Sequence, residues 1–222
     1  ALTPADAIAL VQGDNDQRIA TLNRLAAASD ANAAALIRAM ADGAVRVQGE
    51  QVLIVRDEVA NDAVSGDAVT LDEMAEEAML NNRLRGALDF ALAGMEIADG
   101  DPARQREAAL ILQRASFDEP DAEQLPVIER SLAAEIDPDA RQMLELAQAA
   151  VLLASQDPAQ RLAAAKKLGE ARKAIVRPLL QKYLASESDA TVKAELKDSL
   201  AGLDRSLALS NAIAEGFTGV SL

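Results

Sequence analysis

The chain of 222 residues contains no cysteine, no histidine and no tryptophan. Without cysteine there is no disulfide, no thiol nucleophile and no zinc–thiolate site. Without histidine, Ser-His-Asp chemistry is excluded as well. The absence of cysteine also fits a bacterial protein outside the cytoplasm. Aromatic residues are scarce, one Tyr and three Phe, so nothing lines a cleft for stacking on sugars. Positive charge is scarce too: the formal net charge is −14. Phosphate backbones and anionic lipid headgroups both need basic patches, so neither is an expected partner for the chain as a whole. No apolar run approaches the roughly 18–20 residues of a membrane-spanning helix. The 11 glycines are scattered through the chain and form no phosphate-cradling loop.

What remains is an apolar half built mostly of Ala and Leu. Small and unbranched side chains favour helices and close helix–helix packing. Thr3-Pro4-Ala5-Asp6 is a helix start, with Thr as cap and Pro in the first turn. That helix closes near Gly13, and Asp14 opens a second with Ile19, Leu22, Leu25 and Ala26 on one face. Ser29-Asp30 breaks it. A third helix then points Leu36, Ile37 and Met40 inward and stops at Gly43. The period next changes to two. Residues 44–48 and 51–56 read as two strands around a Gln-Gly-Glu turn, while 57–70 is turn-rich with room for another short strand.

Beyond Gly100 the sequence repeats. DPARQREAALILQRAS starts at Asp101 and DPAQRLAAAKKLGEA at Asp157, an offset of 56. With Pro126 laid on Pro178 the offset becomes 52, matching Leu132 to Leu184, Asp137 to Asp189, Arg141 to Lys193 and Leu144 to Leu196. A three-helix unit therefore occurs twice, at 101–155 and 157–210, with a four-residue length difference expected in the first loop. Asp-Pro starts, Ala/Leu cores and short loops are the pattern of a HEAT-type α-solenoid. The expected fold is mainly α: a small helical part with a β-hairpin over 1–80, then HEAT-like repeats over 81–210. Phe90 is expected in the core, and Tyr183 at its edge.

The NNRLR motif at 81–85, lying after a small strand region and before Asp-Pro helical repeats, resembles the N-terminal extracytoplasmic region of urea ABC transporter permeases. These belong to the branched-chain amino acid type of importer permeases. The terminal LALSNAIAEGFTGVSL is similar to the run-in to a first membrane helix, which assigns 211–222 to that role. The resemblance implies a periplasmic part of an inner-membrane protein, with Ala1-Leu2-Thr3 as a mature end left by signal peptidase. It supplies no catalytic, cofactor-binding or metal-binding residues. The partners it implies are the urea-binding protein and the partner permease subunit.

Two groups of residues are candidate interaction sites. Asn81, Asn82, Arg83 and Arg85 stand at a helix start, after a run from Asp57 to Glu77 of eight carboxylates and no base. One asparagine is expected to cap the helix. Arginine in a first turn opposes the helix dipole, so an acid should compensate, with Asp72, Glu73, Glu76 and Glu77 the expected partners. The group reads either as an internal junction or as a recognition surface. The acidic run reads as a solvated loop; it has the oxygens for calcium but not the spacing of a dedicated loop. The second group is Lys166, Lys167, Arg172, Lys173 and Arg177, read either as a solvated face or as a docking patch for an acidic partner or lipid headgroups. No enzymatic activity is expected. The alternative to a permease domain is a free-standing HEAT-like interaction scaffold, and a ligand-binding pocket is a third reading.

Overall fold

A computed structural model describes residues 1–28 and 30–218. The chain is mainly α-helical and carries one small antiparallel sheet. It forms two compact units: Ala1–Ala115 with Glu123–Leu144, and Ser116–Ala122 with the chain from Glu145 onward.

The first unit opens with three capped helices. Thr3 Oγ1 accepts from the Asp6 N–H at 3.1 Å and starts α1 (Pro4–Gln12). Asp14 Oδ1 accepts from the Gln17 N–H at 2.9 Å and starts α2 (Asn15–Ala27). Asp30 does the same for α3 (Ala31–Ala41) at 2.8 Å. Each cap satisfies an amide that the helix cannot. The apolar stripes expected on α2 and α3 are all buried. Gly43 leaves α3 at φ +68°, a left-handed conformation that a side chain would strain.

The expected hairpin is part of a larger sheet. β1 (Val45–Gln48) and β2 (Gln51–Arg56) pair as expected, and β2 continues into β3 (Val59–Asp62). Two-residue strands β4 (Ala68–Val69) and β5 (Glu76–Glu77) complete the order β4-β3-β2-β1-β5. The acidic stretch is thus largely folded into the sheet and its turns. The β2–β3 turn places Asp57 and Glu58 at φ +49° and +67°. That is the type I′ geometry usually marked by Asn-Gly, so its residues gave no hairpin signal. Val45, Val47 and Val52 are buried, and the sheet packs on α1 and α3.

Next come α4 (Asn82–Asp99), α5 (Pro102–Asp118), α6 (Leu125–Ala133) and α7 (Pro138–Leu153). Here the structure corrects the expected division at residue 80. Helix α2 packs on α4 and α6, and α3 on α4, so α4 and α6 share a core with the helices before residue 80. Leu22, Leu36, Leu84, Leu88, Ile97 and Ile128 are fully buried in this unit, and Phe90 is buried as expected.

The second unit contains α8 (Pro158–Glu170), α9 (Arg177–Ser186) and α10 (Ala190–Thr218). Of the run-in expected at 211–222, residues 211–218 belong to α10 and the last four lie outside the described residues. Among the described residues no helix is long and apolar enough to cross a membrane.

The repeat is visible in the elements themselves. Each copy runs helix, 3-10 turn (Ala122–Gln124 or Ala174–Val176), helix with Pro in its first turn, then aspartate-capped helix. The four extra residues of the first copy are not in a loop. They lengthen α5 to 17 residues against 13 for α8, about one helical turn. Equivalent side chains also do equivalent work. Four residues after the first aspartate, Gln105 donates to Ile97 O at 3.2 Å and accepts from the Asp137 N–H at 2.9 Å. Its counterpart Arg161 donates to Ser155 O and Gln156 O, and makes a two-pronged pair with Glu187 at 2.8 and 3.0 Å. Glu187 in turn accepts from the Asp189 N–H at 2.8 Å. Both routes reach the aspartate that caps the third helix, directly through the amide or through an Arg–Glu relay. The Arg161 hydrogen bonds hold the Glu187 carboxyl below its ordinary pKa.

In the second unit α8 crosses α10 closely. A Cβ added at Gly169 would lie 2.5 Å from Ser199 Cβ and 3.0 Å from Ser199 Cα. Ser199 Oγ, itself buried, donates to Ala165 O at 3.1 Å across this crossing. Gly169→Ala must push the helices apart, at a cost of about 1–3 kcal/mol. Gly202, in the middle of α10, has nothing within 4 Å of its virtual Cβ, so Gly202→Ala gains up to about 1 kcal/mol of helix propensity. Thermal melting is expected to show Tm falling for Gly169→Ala and rising for Gly202→Ala, by roughly 2–4 °C per kcal/mol. Equal shifts in both would contradict the close crossing.

Candidate functional site

The start of α4 is held from one place. Asn81 Oδ1 accepts from the Leu84 N–H at 2.9 Å, which makes Asn81 the cap. Its Nδ2 donates to Asn15 Oδ1 at 2.7 Å. Arg83 Nη1 meets Asp16 Oδ1 at 2.6 Å. The acid paired with Arg83 thus comes from the first turn of α2, outside the 72–77 group expected to supply it. Asn82 is the first residue of α4 and is exposed. The Arg85 N–H donates to Asn81 O, while its side chain is exposed. The structure therefore brings together Asn81 and Arg83 on α2 and leaves Asn82 and Arg85 facing solvent.

A third member of this joint, Arg18, carries no motif that marks it in the sequence. Only 8% exposed, it donates from Nε to Leu10 O at 2.8 Å and from Nη2 to Met79 O at 2.9 Å. Leu10 O lies in the last turn of α1, where carbonyls lack helical partners and a cation is favoured. Burial pushes the Arg18 guanidinium below its ordinary pKa. The available signal was position: Arg18 lies four and seven residues before Leu22 and Leu25, on the buried stripe of α2. At the other end of α2, Arg130 of α6 donates to Ala26 O.

The basic group on the second unit is interleaved with acids. Lys167 pairs with Glu145 at 3.2 Å. Arg177 meets both oxygens of Asp204, at 2.8 and 3.5 Å, and these bonds lower the carboxyl pKa and raise that of the guanidinium. Lys166 and Arg172 border a hollow of about 240 Å³ whose walls include Glu170, Glu195 and Asp198. Arg172 leaves α8 at φ +52°, and Lys173 leads into the 3-10 turn. These five residues do not form a surface of one sign.

Larger hollows lie in the first unit. One of about 500 Å³ runs between α4 and α5, lined by Leu92, Ala93 and Ala108 and by Asp89, Glu96, Arg104 and Glu107. Another of about 490 Å³ lies between α3 and the sheet, lined by Asn32, Arg38, Ile54, Arg56 and Asn61. Among the described residues no three acidic side chains converge as a metal site would require. Comparison with protein families, curated proteins and solved structures gives no match for this chain.

The geometry separates the two arginines from the asparagine. Asn81→Ala removes a cap and the Asn15 contact and is expected to cost about 1–2 kcal/mol. Arg83 and its partner are exposed, so Arg83→Ala with Arg85→Ala is expected to cost under about 1 kcal/mol. Thermal melting of the two variants checks the order. An unchanged Tm for Asn81→Ala would overturn the junction; loss of partner binding by the arginine variant at unchanged Tm would mark a recognition surface.

Proposed function

We propose that this chain is the periplasmic part of a urea ABC importer permease and works as a protein-interaction domain. The observation that carries the interaction role is the three-helix unit present twice, with the same caps and the same bridging position in each copy. Read as HEAT-like units, such helices offer extended surfaces to protein partners. The permease assignment rests on the resemblance of the NNRLR region and of the segment at the end of α10. In this reading the domain contacts the urea-binding protein that delivers substrate, or the partner permease subunit.

Two measurements test the proposal. Reading the coding sequence beyond Leu222 is expected to find a run of roughly 20 apolar residues. Biolayer interferometry with the urea-binding protein and with the partner subunit is expected to show saturable binding to at least one. A stop codon close to Leu222, together with no binding to either, contradicts the permease role and leaves a free-standing HEAT-like scaffold.

A further inference from the structure

The segment from Thr70 to Met79 is fixed by its backbone yet turns its large apolar side chains outward. Gln48 holds its start: Nε2 donates to Thr70 O at 3.3 Å, and Oε1 accepts from the Asp72 N–H at 2.8 Å. The Asp72 side chain accepts from the Met74 N–H at 2.9 Å. Residues Glu76 and Glu77 pair with β1, and the Ala78 N–H donates to Val45 O at 3.1 Å. Arg18 holds the far end through Met79 O. Despite these ties Met74 is 84% exposed, Met79 77% and Leu71 39%. They alternate with the exposed carboxylates of Asp72, Glu73, Glu76 and Glu77. Among the described residues β5 is also the last strand of the sheet on this side, with a sheet neighbour only in β1.

Exposed clusters of large apolar side chains mark interaction surfaces, and methionine adapts to varied partners. A backbone already held in place loses little further freedom on binding. An edge strand offers main-chain groups for an added strand. The carboxylates select for positive charge and repel acids. We propose that residues 71–79 form a docking surface for a basic protein segment with apolar side chains interleaved among its lysines or arginines, which binds as a strand beside β5. This surface does not depend on the permease assignment.

The test uses the full chain and three fluorescent eight-residue peptides: alternating Lys-Val, alternating Lys-Ser and alternating Glu-Val. Fluorescence anisotropy is expected to show Lys-Val binding at least tenfold tighter than Lys-Ser, with no binding of Glu-Val. Met74→Ser with Met79→Ser is expected to weaken Lys-Val about tenfold and leave Lys-Ser unchanged. Glu73→Lys with Glu76→Lys is expected to weaken both lysine peptides. All these positions are exposed, and circular dichroism melting checks that each variant folds. Equal affinity for Lys-Val and Lys-Ser, or no effect of the methionine substitutions, overturns the proposal. Concentration-dependent dimerisation of the wild type that is lost in the methionine variant also overturns it, by assigning the surface to a second copy of the chain.

Discussion

The first unit depends on how the opening turns of α2 grip the chain entering α4. Asn15 meets Asn81, Asp16 meets Arg83, and Arg18 holds Met79 O, so residues 15–18 fix residues 79–83 across more than sixty positions of sequence. Of the three contacts, Arg18 carries most of the constraint because it is buried. Exposed ion pairs stabilise by under about 1 kcal/mol, whereas a buried carbonyl left without its donor costs about 1–3 kcal/mol. The same guanidinium completes the last turn of α1 through Leu10 O. One side chain thus sets the end of one helix and the approach to another. Around it, α2 presents Leu22 and Leu25 to the core and receives Arg130 of α6 at Ala26 O. The chain that Arg18 holds is also the one that displays Met74 and Met79, which links the packing of the core to the proposed docking surface.

The repeated units show how one architectural position tolerates different chemistry. What must be satisfied in both is the amide of the aspartate that caps the third helix. Gln105 supplies an acceptor directly, and Arg161 works through Glu187. The side chains of Arg161 and Glu187 are mostly buried, at 14% and 5% exposed, and a buried pair of this kind is sound only when its remaining hydrogen-bond capacity is filled. Here most of it is used: Arg161 Nη1 donates to Ser155 O and Gln156 O, and Glu187 Oε1 also accepts from the Ser188 and Asp189 amides.

Much of this was legible because it is local. Caps such as Thr3, Asp14, Asp30 and Asn81 act within three residues, and the apolar stripes of α2 and α3 follow directly from helical spacing. The internal offset of 52 residues aligns elements that do correspond. Other features depend on what a segment meets after folding. For β3 the sequence allows no more than a short strand somewhere in 57–70, because Asp57-Glu58 adopts a turn that its residues do not advertise, and β5 is hidden because two glutamates become a strand only beside β1. The boundary at residue 80 was misplaced because α4 looks like the start of something new, although its buried face belongs to α2, α3 and α6. For the same reason the acid that pairs with Arg83 lies far off in sequence, on α2, and not among the neighbouring residues 72–77. In the basic group, Glu145 and Asp204 come from other helices and break up the positive surface.

The most direct test of the gripped joint is hydrogen exchange on Arg18→Met, a change that keeps much of the side-chain volume and removes both donors. The account predicts a loss of about 2–4 kcal/mol, with faster exchange concentrated in residues 79–86 and the last turn of α1. Exchange in α8 and α10 should be unchanged. Wild-type stability and exchange at residues 79–86 in this variant would contradict the account and shift the organising role to the apolar contacts of α2 alone.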